Sequence, residues 1–101
     1  MKEQLQNILS DINNTFDYSI DAFANYKKRV EEALKILKSM PNSSNLMLEN
    51  WKAIGIEEIE KEVKNRLSEN YLTLLPDQQR SEFKFSKSKV SMTLTNILMH
   101  L

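Results

Sequence analysis

One glycine, Gly55, and two prolines, Pro41 and Pro76, serve a chain of 101 residues. Sheets joined by tight hairpins consume such residues at nearly every reversal, so a chain this poor in them points to helices. The spacing of the apolar residues agrees. From Phe16 the series runs Phe16, Ile20, Phe23, Val30, Leu34 and Leu37, with intervals of four, three, seven, four and three. That is one face of a helix, close to a heptad seam, with Lys27 standing where an apolar residue would continue it.

Leu5, Ile8, Leu9 and Ile12 precede this series almost in phase, so the pattern predicts one long helix over about 3–39. Asn13-Asn14-Thr15 favours caps over helix interiors and marks a bend in it. Acidic residues dominate before residue 27 and basic residues after it, the order that complements a helix dipole. Such a helix would be ~55 Å long, against a radius of gyration of ~13 Å for a compact domain of this size. It therefore bends, protrudes or packs on a partner.

Pro41 opens a polar loop, Pro41-Asn42-Ser43-Ser44-Asn45, whose Ser44 or Asn45 caps the next helix. Leu46, Met47, Leu48, Trp51 and Ile54 predict a short helix over 45–54. Gly55 either caps it or sits inside a longer helix at a cost of about 1 kcal/mol. Ile56, Ile59, Val63, Leu67, Tyr71 and Leu74 predict a helix over 56–75, and Glu57–Lys61, Glu60–Lys64 and Glu62–Arg66 pair along it in the favourable order. Pro76 opens a last segment. Phe83, Val90, Leu94, Ile97 and Leu101 predict a helix over 78–99, although Val90, Met92 and Leu94 alternate with Ser91, Thr93 and Thr95 as a strand over 89–95 would. No second strand is available to pair with it. The expected architecture is a single all-α domain over 1–101, an elongated three- or four-helix bundle with a long N-terminal helix.

Composition narrows the chemistry. Fourteen basic and fourteen acidic side chains give a net charge of zero, which weighs against a dedicated nucleic-acid binder and permits self-association. Without cysteine there are no disulfides, thiolate metal sites or cysteine nucleophile, a pattern at home in the cytoplasm. The start of the chain has no apolar core of a signal peptide, and no stretch approaches the ~20 apolar residues of a membrane span. Frequent asparagine fits an AT-rich bacterial or phage gene. His100 is the single histidine and stands near the end of the chain, where a frayed, exposed side chain is expected. A helical di-iron site needs two Glu-x-x-His pairs and is excluded. Asp17 and Asp21, one helical turn apart, are the pair that could meet a hard cation, and they read as a solvated face. No acid, base or nucleophile set is assembled, so no enzyme, cofactor or metal is expected.

What the sequence has in surplus is apolar. Leu46-Met47-Leu48, Leu74-Leu75 and Ile97-Leu98-Met99 are consecutive runs that cannot all face one core, and Tyr18 and Tyr26 lie off the main stripe. The leading expectation is therefore a non-catalytic module that binds another protein, of the inhibitor, immunity, antitoxin or chaperone kind. Its interface would use Tyr18, Tyr26, Leu46, Met47, Leu48 and Trp51, with the methionines Met40, Met47, Met92 and Met99 adding adaptability. The alternative is a nucleic-acid regulator, in which Arg80, Lys84, Lys87 and Lys89 meet phosphates while Phe83 and Phe85 stack on bases. The third expectation is a homodimer or larger assembly paired through the first helix.

Overall fold

In the computed structural model, which describes residues 2–16 and 19–101, the first apolar stripe becomes two helices rather than one. Helix α1 spans Lys2–Asn13 and α2 spans Ile20–Ser39. Polar side chains supply the break. The Thr15 hydroxyl donates to the Asp11 carbonyl at 2.8 Å, and the Ser19 hydroxyl accepts from the Ala22 amide as the N-cap of α2. Phe16 and Ile20, which carried the stripe across this point, are exposed. Two shorter helices can fold back and bury both their faces, whereas one rod of ~55 Å could not within a single bundle.

Helix α3 spans Leu46–Lys61, capped by Asn45, whose side-chain oxygen accepts from the Met47 and Leu48 amides at 3.1 and 3.2 Å. It runs straight through Gly55, so the expected break between 54 and 56 does not exist. The glycine is there for packing: a Cβ on it would lie 2.7 Å from Ile97 Cδ1 and 3.1 Å from Thr93 Cγ2 on the facing helix. Over Glu62–Arg66 the chain widens to a π-helical turn, closed by the Leu67 amide bonding to the Glu62 carbonyl at 2.8 Å. The helix then stops instead of continuing to 75. The Ser68 hydroxyl takes the Asn65 carbonyl at 2.7 Å, competing for the backbone as short polar side chains do. A short 3-10 turn, Glu69–Thr73, leads into α4, Pro76–Met99. Residues 89–95 are helical, which removes the strand alternative; the Thr93 and Thr95 hydroxyls bond back to the carbonyls of Lys89 and Ser91.

The four helices form a ring in which each packs on its chain neighbours and α4 closes back onto α1. Neighbours run antiparallel. Asn45, Gly55, Glu58 and Arg66 on the α3 side meet His100, Ile97, Lys89 and Glu82 in turn on α4. The result is elongated, 46 × 23 × 17 Å, with a radius of gyration of 13.6 Å.

Leu5, Ile8, Val30, Leu37, Ile59, Leu94 and Ile97 fill the shaft of the core. Four aromatics fill one end of it. Phe23 stacks on Tyr71 with ring centres 3.8 Å apart, and Phe83 lies edge-on to Phe23 and 4.8 Å from Tyr26. Each such pair adds about 0.5–1.5 kcal/mol beyond the area it buries. Beside them Tyr26 and the buried Ser86 share a hydrogen bond of 2.8 Å. Burial pushes the Tyr26 phenol well above its ordinary range, the Ser86 bond partly opposing it.

Candidate interaction surface

The opening turn of α3 and the closing turn of α4 lie together at one end of the bundle. The Asn45 side-chain amide donates to the His100 carbonyl at 3.4 Å, and the Trp51 and His100 rings lie nearly parallel, 6.4 Å apart. His100 is thus not frayed: its amide bonds to the Ile97 carbonyl and its ring has a packed neighbour. Leu46 and Met47, which follow Asn45, and Met99 and Leu101, which flank His100, therefore stand at the same end of the bundle. Leu46 is 77% exposed, Met47 53% and Met99 74%.

Amphipathic logic explains why these side chains point outward. The core takes Leu48 and Ile97, so Met47, roughly 100° around α3, and Leu46 and Met99, each two residues and roughly 200° from its core residue, are left facing solvent. Trp51 is half-buried, one flank on the core and the other toward His100.

Charges near this end neutralise one another. Lys52, though a lysine, is buried; its ammonium reaches Glu49 at 3.0 Å and the Pro41 carbonyl at 3.5 Å. Glu49 also accepts from the Ser43 amide at 2.7 Å. The Lys52 hydrogen bond first, and the Ser43 amide second, hold the Glu49 carboxyl below the usual range. These contacts tie the 40–45 loop to α3 and leave the exposed side chains of its first turns uncharged: Leu46, Met47, Asn50 and Ala53.

Of the residues expected to form an interface, Leu46 and Met47 are exposed at this end and Trp51 is half-buried beside His100. Tyr26 and Leu48 are in the core and present no surface. Tyr18 lies outside the described residues, as does Asp17 of the carboxylate pair. Among the described residues no three acidic or histidine side chains converge as a metal set. Met99, expected there as an adaptable methionine, is exposed at this end, and Leu101, which the apolar spacing placed only on the core stripe of the last helix, is exposed beside it in sequence. The antiparallel return of α4 places both at the end of the bundle where α3 begins.

The basic and aromatic segment over 80–89 does not form one face. Phe83 is wholly buried, while Phe85 is exposed beneath the Arg66 guanidinium, 4.3 Å from its ring centre. Lys87 donates to the Thr15 carbonyl at 2.7 Å and sits 5.1 Å from the Phe16 ring. Lys89 bridges Glu58 at 2.8 Å and the buried Glu62 at 3.5 Å, and the Glu58 hydrogen bond lifts its ammonium above the ordinary value. Arg80 and Lys84 are exposed on α4. No described helix is long and apolar enough to cross a membrane. No protein-family model, curated protein or solved structure matches the chain.

Proposed function

We propose that this chain is a non-catalytic protein-binding module, acting in the cytosol through the apolar end formed by α3 and α4. One observation carries the reading: Leu46, Met47 and Met99 stand largely exposed around the Trp51–His100 contact, with the nearest charges paired to each other. An apolar centre without charge and with a polar rim is the composition of an interface core. Two unbranched methionines let such a surface adapt to its partner. A half-buried tryptophan held by its neighbours is a common energetic anchor.

The test is site-specific. A photo-crosslinking side chain placed at Leu46 or Met99 should label a partner in the source cells, and one placed at the exposed Gln6 on α1 should not. Leu46→Glu with Met99→Glu should abolish that labelling from a neighbouring position. Because both side chains are exposed, the fold should change by no more than about 0.5 kcal/mol. Equal labelling from all three positions, or labelling indifferent to the double substitution, would overturn the assignment. Labelling of a second copy of the chain would identify the partner as itself.

A further inference from the structure

A second surface, independent of the apolar end, runs along α2. Ile20, Ala24, Lys27, Glu31, Leu34 and Lys38 follow one another at intervals of four, three, four, three and four, so they share a face. That face borders two shallow depressions that meet at Glu31. One, about 340 Å³, is floored by Ile20, Phe23, Ala24 and Leu72. The other, about 620 Å³, is floored by Leu34 and Val63. Together they make a groove as long as the span from residue 20 to 38, ~27 Å at 1.5 Å per residue.

The rim of this groove is positive although the whole chain is neutral. Lys27, Lys28, Lys35 and Lys38 line it from α2. On the α3 side Glu60 pairs with Lys38 at 2.5 Å, and Lys64 is close enough to help lower the Glu60 pKa. Four lining lysines therefore face two glutamates, Glu31 and Glu60, an excess of two positive charges. Lys27, Lys28 and Lys35 form no ion pair among the described residues. Arg29, which follows them in sequence, turns the other way to bind Asp11 and Glu32 at 2.6 and 2.7 Å.

We propose that this groove docks an amphipathic helix of a partner protein, its apolar residues on the floor and its acidic residues against the lysines. A helix suits the site because the described residues include no sheet edge to pair an extended strand, so the partner's backbone must satisfy its own hydrogen bonds. A groove along a helix with an apolar floor is where a further helix packs, ridge into groove. The long lysine stems extend the apolar walls while their ammonium groups meet the partner's carboxylates. The phosphates of a nucleic-acid duplex would reach the lysines and leave the apolar floor unfilled.

The experiment maps amide shifts of the isotope-labelled full chain during titration with a designed helical peptide of about 18 residues, the groove's length. Its leucines recur at three- and four-residue spacing and glutamates flank them. The expected result is saturable shifts along the α2 groove that weaken with salt, as exposed charge contacts do. A counterpart with lysine for glutamate should bind at least about tenfold more weakly. Lys28→Glu with Lys35→Glu, both exposed positions, should weaken the acidic peptide by a similar factor while leaving the spectrum folded. Shifts only at residues 46–51 and 99–101, no shifts, or equal binding of both peptides would overturn the proposal. So would the same α2 shifts produced by phosphatidylglycerol vesicles or a short DNA duplex.

Discussion

Gly55→Ala sets two effects of similar size against each other, and the geometry decides the sign. In a helix interior alanine is favoured over glycine by about 1 kcal/mol, so at an exposed site the substitution would stabilise. At this site the new methyl would stand 2.7 Å from Ile97 Cδ1 and 3.1 Å from Thr93 Cγ2, against the ~3.5–4.0 Å at which carbon atoms pack. Ile97 is wholly buried, and the Thr93 methyl is held in place because its hydroxyl bonds to the Lys89 carbonyl at 2.9 Å. Overpacking of this kind costs about 1–3 kcal/mol. The net expectation is a loss of about 1 kcal/mol, or ~4–8 °C in Tm for a domain of this size.

The cause can be separated from the loss. Ile97→Val removes the offending Cδ1 and leaves Ile97 Cγ1 at 3.7 Å, an ordinary contact. Alone it should cost about 0.5–1.5 kcal/mol. In the Gly55→Ala background it should cost far less, because it opens the space the new methyl needs. A double-mutant cycle measured by urea unfolding, with constant slope, should therefore show about 1–2 kcal/mol of favourable coupling. If Gly55→Ala instead raised stability by about 1 kcal/mol and the two changes were additive, the close helix crossing would be refuted.

Tyr26→Phe should cost about 1–3 kcal/mol by stranding the buried Ser86 hydroxyl, and Tyr26→Phe with Ser86→Ala should recover most of it, both read from urea midpoints. Burial raises the phenols of Tyr26 and Tyr71 above their unfolded value of 10.0, so their share of stability is intact below pH 10 and lost as pH climbs toward the raised values. Urea midpoints should therefore fall above about pH 10, less steeply in the Tyr26→Phe variant; equal slopes would contradict the burial argument. Alanine at Asn14, Thr15 and Ser19 removes the side chains that stop α1 and cap α2. It should let part of the population fuse them into one helix that delivers α1 to a second bundle, a swapped dimer visible by light scattering as mass absent from the parent.

The helical class was legible from one glycine, two prolines and the apolar spacing, and so was the core, since Val30, Leu37, Ile59, Leu94 and Ile97 are all buried. Boundaries fared worse wherever short-range polar chemistry competed with periodicity. The stripe through Ile12, Phe16 and Ile20 is a helix pattern, yet the hydroxyls of Thr15 and Ser19 end one helix and begin the next. Leu67 and Tyr71 keep the helical spacing and are buried as expected, but they reach the core from a π-turn and a 3-10 turn. Gly55 is open in the sequence between a cap and a place inside a longer helix, and what decides it, the close approach of Ile97, lies 42 residues further along the chain.

Surface features are harder to recover because periodicity marks what is buried and is silent on which surplus residues remain outside. Tyr26 is off the stripe yet buried, because Ser86 offers its hydroxyl a partner from α4. Leu46 and Met99 are ordinary apolar residues within consecutive runs until the antiparallel closure of the ring brings their neighbours Asn45 and His100 together at one end of the bundle. The α2 groove had a visible half: Lys27 interrupting an apolar series was legible as an exception. The other half, Val63 and Leu72 as facing floor and Lys64 beside Glu60, exists only once α3 folds back along α2. Both surfaces are thus products of topology. Each joins residues too far apart in sequence for any local pattern to link, whereas the chemistry of each residue was already plain.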